Sequence, residues 1–443
     1  MGSWIAVTCT LSIELYVLRR LRFDWLLVAI VLTSTLVDVN YLGYTQVYER
    51  NYDGPSHLLY IDALAQHLRP PTETLCTACG HPPLYYALAA LWTRVVLVGG
   101  AVPHEVGLQW FSLLLFFGFM VFALLILRDT VERRATLWLA AALIAFWPSS
   151  IINSVRVHND ALASLLMVAA MYFIERWDRE ERRRDFYAAL AASGLALLTK
   201  STGYTVALAL LALAAWRLRS TRFARASIQR LVVATVALLG AALLAVALRG
   251  PAAPSALCGK LLGHACNVPP FFFVDNQPSS YLYFDLPAFL ADTSSLVYPP
   301  KHDYFWNGLA KSSLFGVMRL GKAFEGQPYR GLAVLLSSLL LVMAVACAVG
   351  LLLLRRSIDW RKYRGLIAVT ASMLSLLLAF RILIPTPFHE DFRHIFPALV
   401  PFCLVYAKVV ERAGGWSKAL YRLGVAVGLL LVAASVAFFV RVR

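Results

Sequence analysis

The sequence predicts an all-α integral membrane protein with about eleven or twelve transmembrane helices. Of its 443 residues, 60% are hydrophobic and only 15% are charged, and the mean hydropathy is +0.67. Soluble domains contain about a quarter charged residues, so a chain of soluble domains is excluded. The Leu-, Ala- and Val-rich composition with seven cysteines also excludes the disordered, collagenous and disulfide-scaffold classes.

The predicted spans are apolar runs close to the length of about 20 residues that a helix needs to cross hydrocarbon, where unpaired backbone amides are too costly. A further helix over residues 4–18 is short and contains Glu14. The first residues lack a basic segment and a cleavage site, so we expect no removable signal peptide. The apolar runs lie near residues 25–44, 106–127, 135–152, 159–175, 186–199, 202–217, 229–249, 331–354, 365–384, 394–410 and 419–440.

Lys and Arg are concentrated in alternate loops between these runs, which predicts that those loops are cytoplasmic. The loops hold 25 of the 41 Lys and Arg but only 10 of the 25 Asp and Glu, so they account for nearly all of the net charge of +16. The basic residues therefore indicate topology. The basic residues do not form one solvent-exposed surface, so we expect no nucleic-acid partner.

The remaining loops face outward, and two of them are long enough to be structured. We predict one membrane domain, residues 1–443, with outward loops at residues 45–105 and 250–330 that are rich in aromatic residues, Pro and His. The apolar residues 84–98 would break the alternation of basic loops if they crossed the membrane, so we expect an interfacial helix there. The two halves of the chain show no repeat, which disfavours many transporter folds.

Asp53 begins an amphipathic segment of the first outward loop, in which Leu58, Ile61 and Leu64 would share one face of a helix. An acidic residue at a helix start often caps free backbone amides. A carboxylate at the membrane surface can also act as a general base. The residues alone leave both roles open.

Six segments resemble, in the expected order, motifs of the C-type (GT-C) membrane glycosyltransferases, which include protein O-mannosyltransferases and lipid A aminoarabinose transferases. The resemblance implies the GT-C fold and a reaction that moves a sugar, with inversion, from a polyprenyl-phosphate donor to a hydroxyl of a lipid, glycan or protein. The segments run from residue 51 to about 407 and read NYDGPSHLLYIDALAQHLRPP, HPPLYYALAALW, VHNDALASLLMVAAMYF, GLALLTKSTG, DYFWNGLAKSSLFG and DFRHIFPALVPFCLVYA.

Asp53 is the general base that the resemblance implies, because it occupies the matching position of the first motif. Many members of the superfamily have an Asp-Glu pair where this chain has Asp53 followed by Gly54. If the second acid of that pair is the base, Asp38, late in the first long span, is the first alternative and Asp62 the next. A buried charge such as Asp38 tends to be functional or paired.

The phosphate of such a donor leaves as an anion, so it requires cations rather than a proton donor. Lys200 and Arg393 lie within matched motifs, and Arg156 and Arg381 lie at outward span ends. The last two could equally extend to lipid headgroups. Asp160 could orient Arg156 or Lys200, or it could cap its own helix.

Substrate contacts are expected from both outward loops. His57 and His81 in the first loop can bind sugar hydroxyls. Trp306 in the second loop, with Tyr298 and His302 nearby, can line an acceptor cleft. Most aromatic residues of the second loop fit an interfacial belt better.

The four outward cysteines predict two local disulfides, within the pairs Cys76/Cys79 and Cys258/Cys266, in an oxidising compartment. Cys76, Cys79 and His81 could hold zinc only with a fourth ligand, so we expect no metal or other cofactor. The chain has no Asn-x-Ser/Thr sequon, which agrees with a bacterial inner-membrane protein whose site faces the periplasm. A lipid-linked-sugar flippase or transporter and a polysaccharide polymerase are the alternative functions.

Overall fold

The described residues of this computed structural model form helices, short 3-10 turns and connecting loops, and contain no β-strand. They comprise residues 2–45, 53–72, 75–96, 103–248, 273–291, 304–316, 329–356 and 359–441. Their α-helices, numbered in chain order, are α1 (Gly2–Arg20), α2 (Trp25–Leu42), α3 (Gly54–His67), α4 (Leu84–Val96), α5 (His104–Thr130), α6 (Arg134–Ala145), α7 (Pro148–Ser154), α8 (Asp160–Glu180), α9 (Arg183–Thr199), α10 (Tyr204–Ser220), α11 (Arg225–Ala247), α12 (Pro278–Leu282), α13 (Leu286–Ala291), α14 (Phe305–Phe315), α15 (Tyr329–Leu354), α16 (Arg364–Leu383), α17 (Leu399–Trp416) and α18 (Lys418–Arg441).

Within the described ranges, eight helices are long and apolar enough to cross a membrane. The pair α6 and α7, bent by 53° at residues 146–147, would form a ninth span. The bend precedes Pro148, which lacks a backbone donor and therefore starts a new helix. Three other predicted spans correspond to α1, α8 and α9, which are shorter, less apolar or more charged. The prediction of an all-α, multi-pass membrane protein is confirmed.

The bundle is held together by close packing of apolar side chains and small residues. One continuous core extends from Leu18 near the start of the chain to Phe439 in α18. At Gly350 in α15, an added Cβ would collide with the side chain of Val409 in α17. Because lipid tails are as apolar as the helices, such close approach is what favours association within a membrane.

The arginine-rich loops meet at one end of the bundle, which we call the arginine-rich end. There the buried carboxylate of Asp178 in α8 pairs with Arg217 of α10 and, at 3.1 Å, with Arg364 of α16. The backbone amide of Leu366 donates a hydrogen bond of 2.9 Å to Glu175. These contacts fasten α10 and α16 to α8 at the end opposite the cavity described below.

Between α2 and α5, the described residues 53–72 and 75–96 form a small second core beside the bundle. Leu58 and Ile61 of α3 pack with Tyr85 of α4 and Leu108 of α5. At 13 residues, α4 is too short to cross the hydrocarbon core. Residues 84–96 of the predicted interfacial segment thus form a helix that packs on α3, and residues 97–98 lie outside the described residues.

The described parts of the second long loop fold against the end of α16. Val274 donates a backbone hydrogen bond to Pro385 (2.9 Å), and the side-chain amide of Asn276 donates to the carbonyl of Ile382 (2.9 Å). The buried Arg381 pairs with Glu390. Four residues predicted for this loop, Cys258, Cys266, Tyr298 and His302, lie outside the described residues.

We predict that Asp178→Ala lowers the free energy of unfolding by about 3–5 kcal/mol, because the buried guanidinium of Arg217 loses its buried partner and keeps only Glu181, which is 62% exposed. The melting temperature of the detergent-purified protein measures this loss. Glu132→Ala is the matched control, because Glu132 also forms an ion pair at this end but is 81% exposed, and such surface pairs contribute at most about 1 kcal/mol. Equal melting temperatures for the two variants would contradict the role of Asp178.

Candidate active site

A cavity of about 440 Å³ opens at the end of the bundle opposite the arginine-rich end. Its walls come from the start of α3, the turn before α4, the α9–α10 junction, the end of α16 and the turns before α17. Polar groups line one part and apolar side chains of α10 and α16 line the other. The polar part includes Asp53, His57, Thr77, His81, Asn159, Lys200, Arg393 and His394, and the apolar part includes Leu208, Met373, Leu376, Leu377, Phe380 and Leu383.

Asp53 occupies the N-cap position of α3, but its side chain makes no capping hydrogen bond. Its carboxylate instead receives hydrogen bonds of 3.1 and 3.3 Å from Nη1 of Arg393, and Nε2 of His57 lies 3.7 Å away. Burial alone would raise the pKa of Asp53, but Arg393 and His57 lower it well below its ordinary value. The capping role is therefore not observed. The carboxylate lines the cavity and lies beside two basic groups, Arg393 and His57.

Arg393 is fixed by a second carboxylate, that of Asp391. Oδ1 of Asp391 accepts the backbone N–H of Arg393 at 3.0 Å, and Oδ2 lies 2.8 Å from its Nε. Asp391 is 2% exposed whereas Asp53 is 25% exposed. The guanidinium thus joins an inner carboxylate to an outer one.

Lys200 has a buried partner as well. It lies between α9 and α10, and its ammonium pairs with Asp160 in the first turn of α8. The same turn is ordered by the backbone N–H of Asp160, which donates to Nδ1 of His158 at 3.0 Å, and by Asn159, whose amide donates to the Thr199 carbonyl at 3.3 Å. Burial lowers the pKa of His158 well below its ordinary value, although Asp160 opposes the shift. Of the two roles predicted for Asp160, the structure shows orientation of Lys200.

The rings of His57 and His81 are stacked 6.2 Å apart at the cavity. Between them in the chain, Cys76 and Cys79 form a disulfide that closes the 3-10 turn Thr77–Gly80. The hydroxyl of Ser56 accepts hydrogen bonds from the amide of Ala78 (2.7 Å) and the hydroxyl of Thr77 (2.8 Å), which fixes this turn to α3. In the described residues, no three His, Cys, Asp or Glu side chains are grouped to hold a metal.

Several predicted residues lie away from the cavity lining. Arg156 is buried behind it, within electrostatic range of Asp53 and Arg393. Trp306 is exposed and donates its indole N–H to the Tyr281 carbonyl at 2.7 Å. Asp38 is fully buried inside the bundle.

Sequence reasoning missed two residues that shape the site, Asp391 and Tyr86. An acid two positions before a matched arginine was the available signal for Asp391. Tyr86 stood within a matched motif, but nothing in the sequence related its hydroxyl to His57, which lies 2.8 Å away at Nδ1.

The fold and the cavity define a class of protein: a multi-pass helical membrane protein with a polar site at one end of the bundle that continues into an apolar groove. The model of the dolichyl-phosphate-mannose-protein mannosyltransferase family matches residues 80–246. This match, over less than half of the chain, agrees with the resemblance that the six sequence segments predicted. No curated protein matches the chain in sequence.

Among solved structures, the chain is similar to the Archaeoglobus fulgidus oligosaccharyltransferase in its apo form, with a TM-score of 0.50, 16% identity, and coverage of 94% of this chain and 55% of that one. The complex of that enzyme with zinc and sulfate gives 0.48 and 12%, over 93% and 53% of the two chains. ArnT from Cupriavidus metallidurans bound to undecaprenyl phosphate gives 0.40 and 14%, over 93% and 77%. This chain therefore spans about half the length of the archaeal oligosaccharyltransferase.

Proposed function

We propose that this protein is a glycosyltransferase that moves a sugar from a polyprenyl-phosphate donor to a hydroxyl acceptor, with Asp53 as general base. The observation that carries the proposal is the cavity itself, which combines a carboxylate, two cations and an apolar groove. Each part corresponds to one chemical requirement of that reaction.

The donor phosphate would lie beside Lys200 and Arg393, whose cationic groups can stabilise charge on its oxygens. The apolar groove begins next to Lys200 and runs between α10 and α16. Leu208 and Leu383 on its two sides are 48% and 73% exposed, so the groove is open towards the lipid. A polyprenyl chain fits this environment, and the ArnT structure contains a lipid of this class, undecaprenyl phosphate.

The reaction needs a base but no acid. The acceptor oxygen attacks the anomeric carbon as the bond to the phosphate oxygen breaks, and the phosphate leaves with the electron pair. The acceptor proton passes to the carboxylate of Asp53. Attack opposite the leaving group inverts the anomeric centre.

The ion pair between Asp53 and Arg393 would weaken the base until the donor arrives. A donor phosphate competes with the carboxylates for the guanidinium of Arg393. Of the two carboxylates that pair with Arg393, Asp53 is the more exposed. The phosphate would therefore displace Asp53 from the guanidinium, and the Asp53 carboxylate would become a stronger base. Donor binding would thus prepare the base for the acceptor.

The arginine-rich end would face the cytoplasm, since Lys and Arg accumulate on that side of membranes. The cavity would then face the outer surface, which is the periplasm if the source is bacterial. The first outward loop, residues 45–105, would supply the base. A flippase could use the same groove and cations, but it would not need Asp53 as a base, and a polymerase would differ in its acceptor.

We predict that Asp53→Asn lowers sugar transfer about 10²–10⁴-fold, the usual contribution of a general base. Transfer is measured in nanodiscs with a panel of labelled polyprenyl-phosphate sugars. Asp38→Asn is the control, because Asp38 is buried away from the cavity, and it should retain wild-type activity. Full activity in Asp53→Asn with loss in Asp38→Asn would reverse the assignment, and transport of intact donor without glycosidic bond formation would indicate a flippase.

We predict different pH profiles for kcat and for kcat/KM of the donor. The kcat/KM profile reports the free enzyme, in which Arg393 holds the pKa of Asp53 low. Its acidic limb should therefore lie below the ordinary carboxyl pKa of about 3.9. The kcat profile reports the donor complex, and its acidic limb should lie at higher pH because the phosphate has drawn Arg393 away. Coincident limbs would argue against this exchange.

We predict that Lys200→Gln and Arg393→Gln each weaken binding of undecaprenyl phosphate by about tenfold or more, because each removes a charged hydrogen bond worth about 1.5–3 kcal/mol. Native mass spectrometry of the detergent-purified protein measures the bound lipid. Arg330→Gln is the control, since Arg330 is an exposed cation in the first turn of α15. Equal loss of a polyprenol that lacks phosphate would show that the variants damage the groove rather than the phosphate site.

A further inference from the structure

The ring of His57 lies between a phenol and the carboxylate of Asp53. Its Nδ1 is 2.8 Å from the hydroxyl of Tyr86, and its Nε2 is 3.7 Å from Oδ2 of Asp53. His57 and Tyr86 are both buried. The three side chains thus form a line that starts inside the α3–α4 core and ends at the cavity.

The contact with Asp53 selects one neutral tautomer of the imidazole, and the contact with Tyr86 is compatible with that tautomer. A carboxylate favours the proton on the ring nitrogen that faces it, which is Nε2. The other nitrogen, Nδ1, then carries the lone pair, and a tyrosine hydroxyl can donate to it. Tyr86 therefore stabilises the form of His57 that presents an N–H to Asp53.

The position of Tyr86 is itself fixed by packing. Its ring stacks on Tyr60 with 3.8 Å between centroids, and Tyr85 meets it edge-on at 5.3 Å. Tyr60 lies three residues after His57 on α3, so the stack and the hydrogen bond join the same two helices. The hydroxyl has little freedom to move away from Nδ1.

We infer that Tyr86 is a positioning residue, which acts through the tautomer of His57 to orient the base Asp53. This inference rests on the proposed function. When the donor phosphate takes Arg393, the N–H of His57, on the ring nitrogen 3.7 Å from Oδ2, remains directed at the carboxylate. The opposite tautomer would direct a lone pair at the carboxylate and repel it.

The test compares Tyr86→Phe with Tyr85→Phe. The first variant keeps the ring stack and removes only the oxygen that contacts His57. The second removes a hydroxyl from an equally buried tyrosine of the same helix, and that hydroxyl makes no hydrogen bond to His57. A merely structural role predicts similar effects from both changes.

For Tyr86→Phe, we expect kcat to fall about five- to tenfold, as for the loss of a hydrogen bond worth about 1 kcal/mol. The KM of the donor should stay unchanged, because Lys200 and Arg393 are intact. The acidic limb of the kcat profile should move to higher pH, because Asp53 loses a neighbouring donor that favours its charged form. Tyr85→Phe should keep the wild-type values of all three.

A measurement without turnover completes the test. In protein labelled with ¹⁵N-histidine, nitrogen chemical shifts distinguish protonated from unprotonated ring nitrogens, and His57→Gln assigns the signal. We expect the Nε2–H tautomer in the wild type and a mixture of tautomers in Tyr86→Phe. An active wild type whose tautomer and kcat are unchanged in Tyr86→Phe would overturn this inference alone, whereas a wild type that transfers no sugar would overturn the proposed function.

Discussion

Arg393 lies between a buried carboxylate that fixes it and a more exposed one that faces the cavity. Asp391 holds both its backbone amide and its guanidinium, and Asp53 reaches it from the start of α3, 340 residues earlier in the chain. A single buried cation would be costly in an apolar bundle. Two carboxylates offset the cost of this buried charge, and one of them, Asp53, is 25% exposed.

The same principle extends to the neighbouring pair of Lys200 and Asp160. Each of the two cations that line the cavity has a carboxylate partner of low exposure, Asp391 for Arg393 and Asp160 for Lys200. These partners hold the cationic groups at defined positions before any ligand binds. Binding then costs little reorganisation of these side chains, which is the general advantage of a preorganised site.

Much of the fold could be predicted because it follows from local patterns. The apolar runs are near the length of a membrane helix, the basic loops alternate, and the spacing of Leu58, Ile61 and Leu64 placed α3 correctly. The exact spans were harder, because α8 and α9 also carry buried charged residues such as Asp160, Glu175 and Asp185, which lower their hydropathy.

The site was predictable only in part, because its contacts join distant segments. Asp53, Lys200 and Arg393, which the motif positions singled out, line one cavity. Arg381 resembles Arg393 in sequence, at an outward span end, yet it pairs with Glu390 and supports the second loop. Sequence alone does not show which arginine faces the cavity, since this depends on the turns between α16 and α17.

The apolar groove between α10 and α16 has a thermodynamic consequence for any lipid that enters it from the bilayer. The tail leaves one hydrocarbon environment for another, so its transfer releases almost no water and contributes little hydrophobic free energy. Discrimination between such a lipid and the surrounding phospholipids must then arise at its polar head. A lipid that diffuses in the plane of the bilayer would therefore be selected by a few fixed charges at the cavity rather than by the length of its tail.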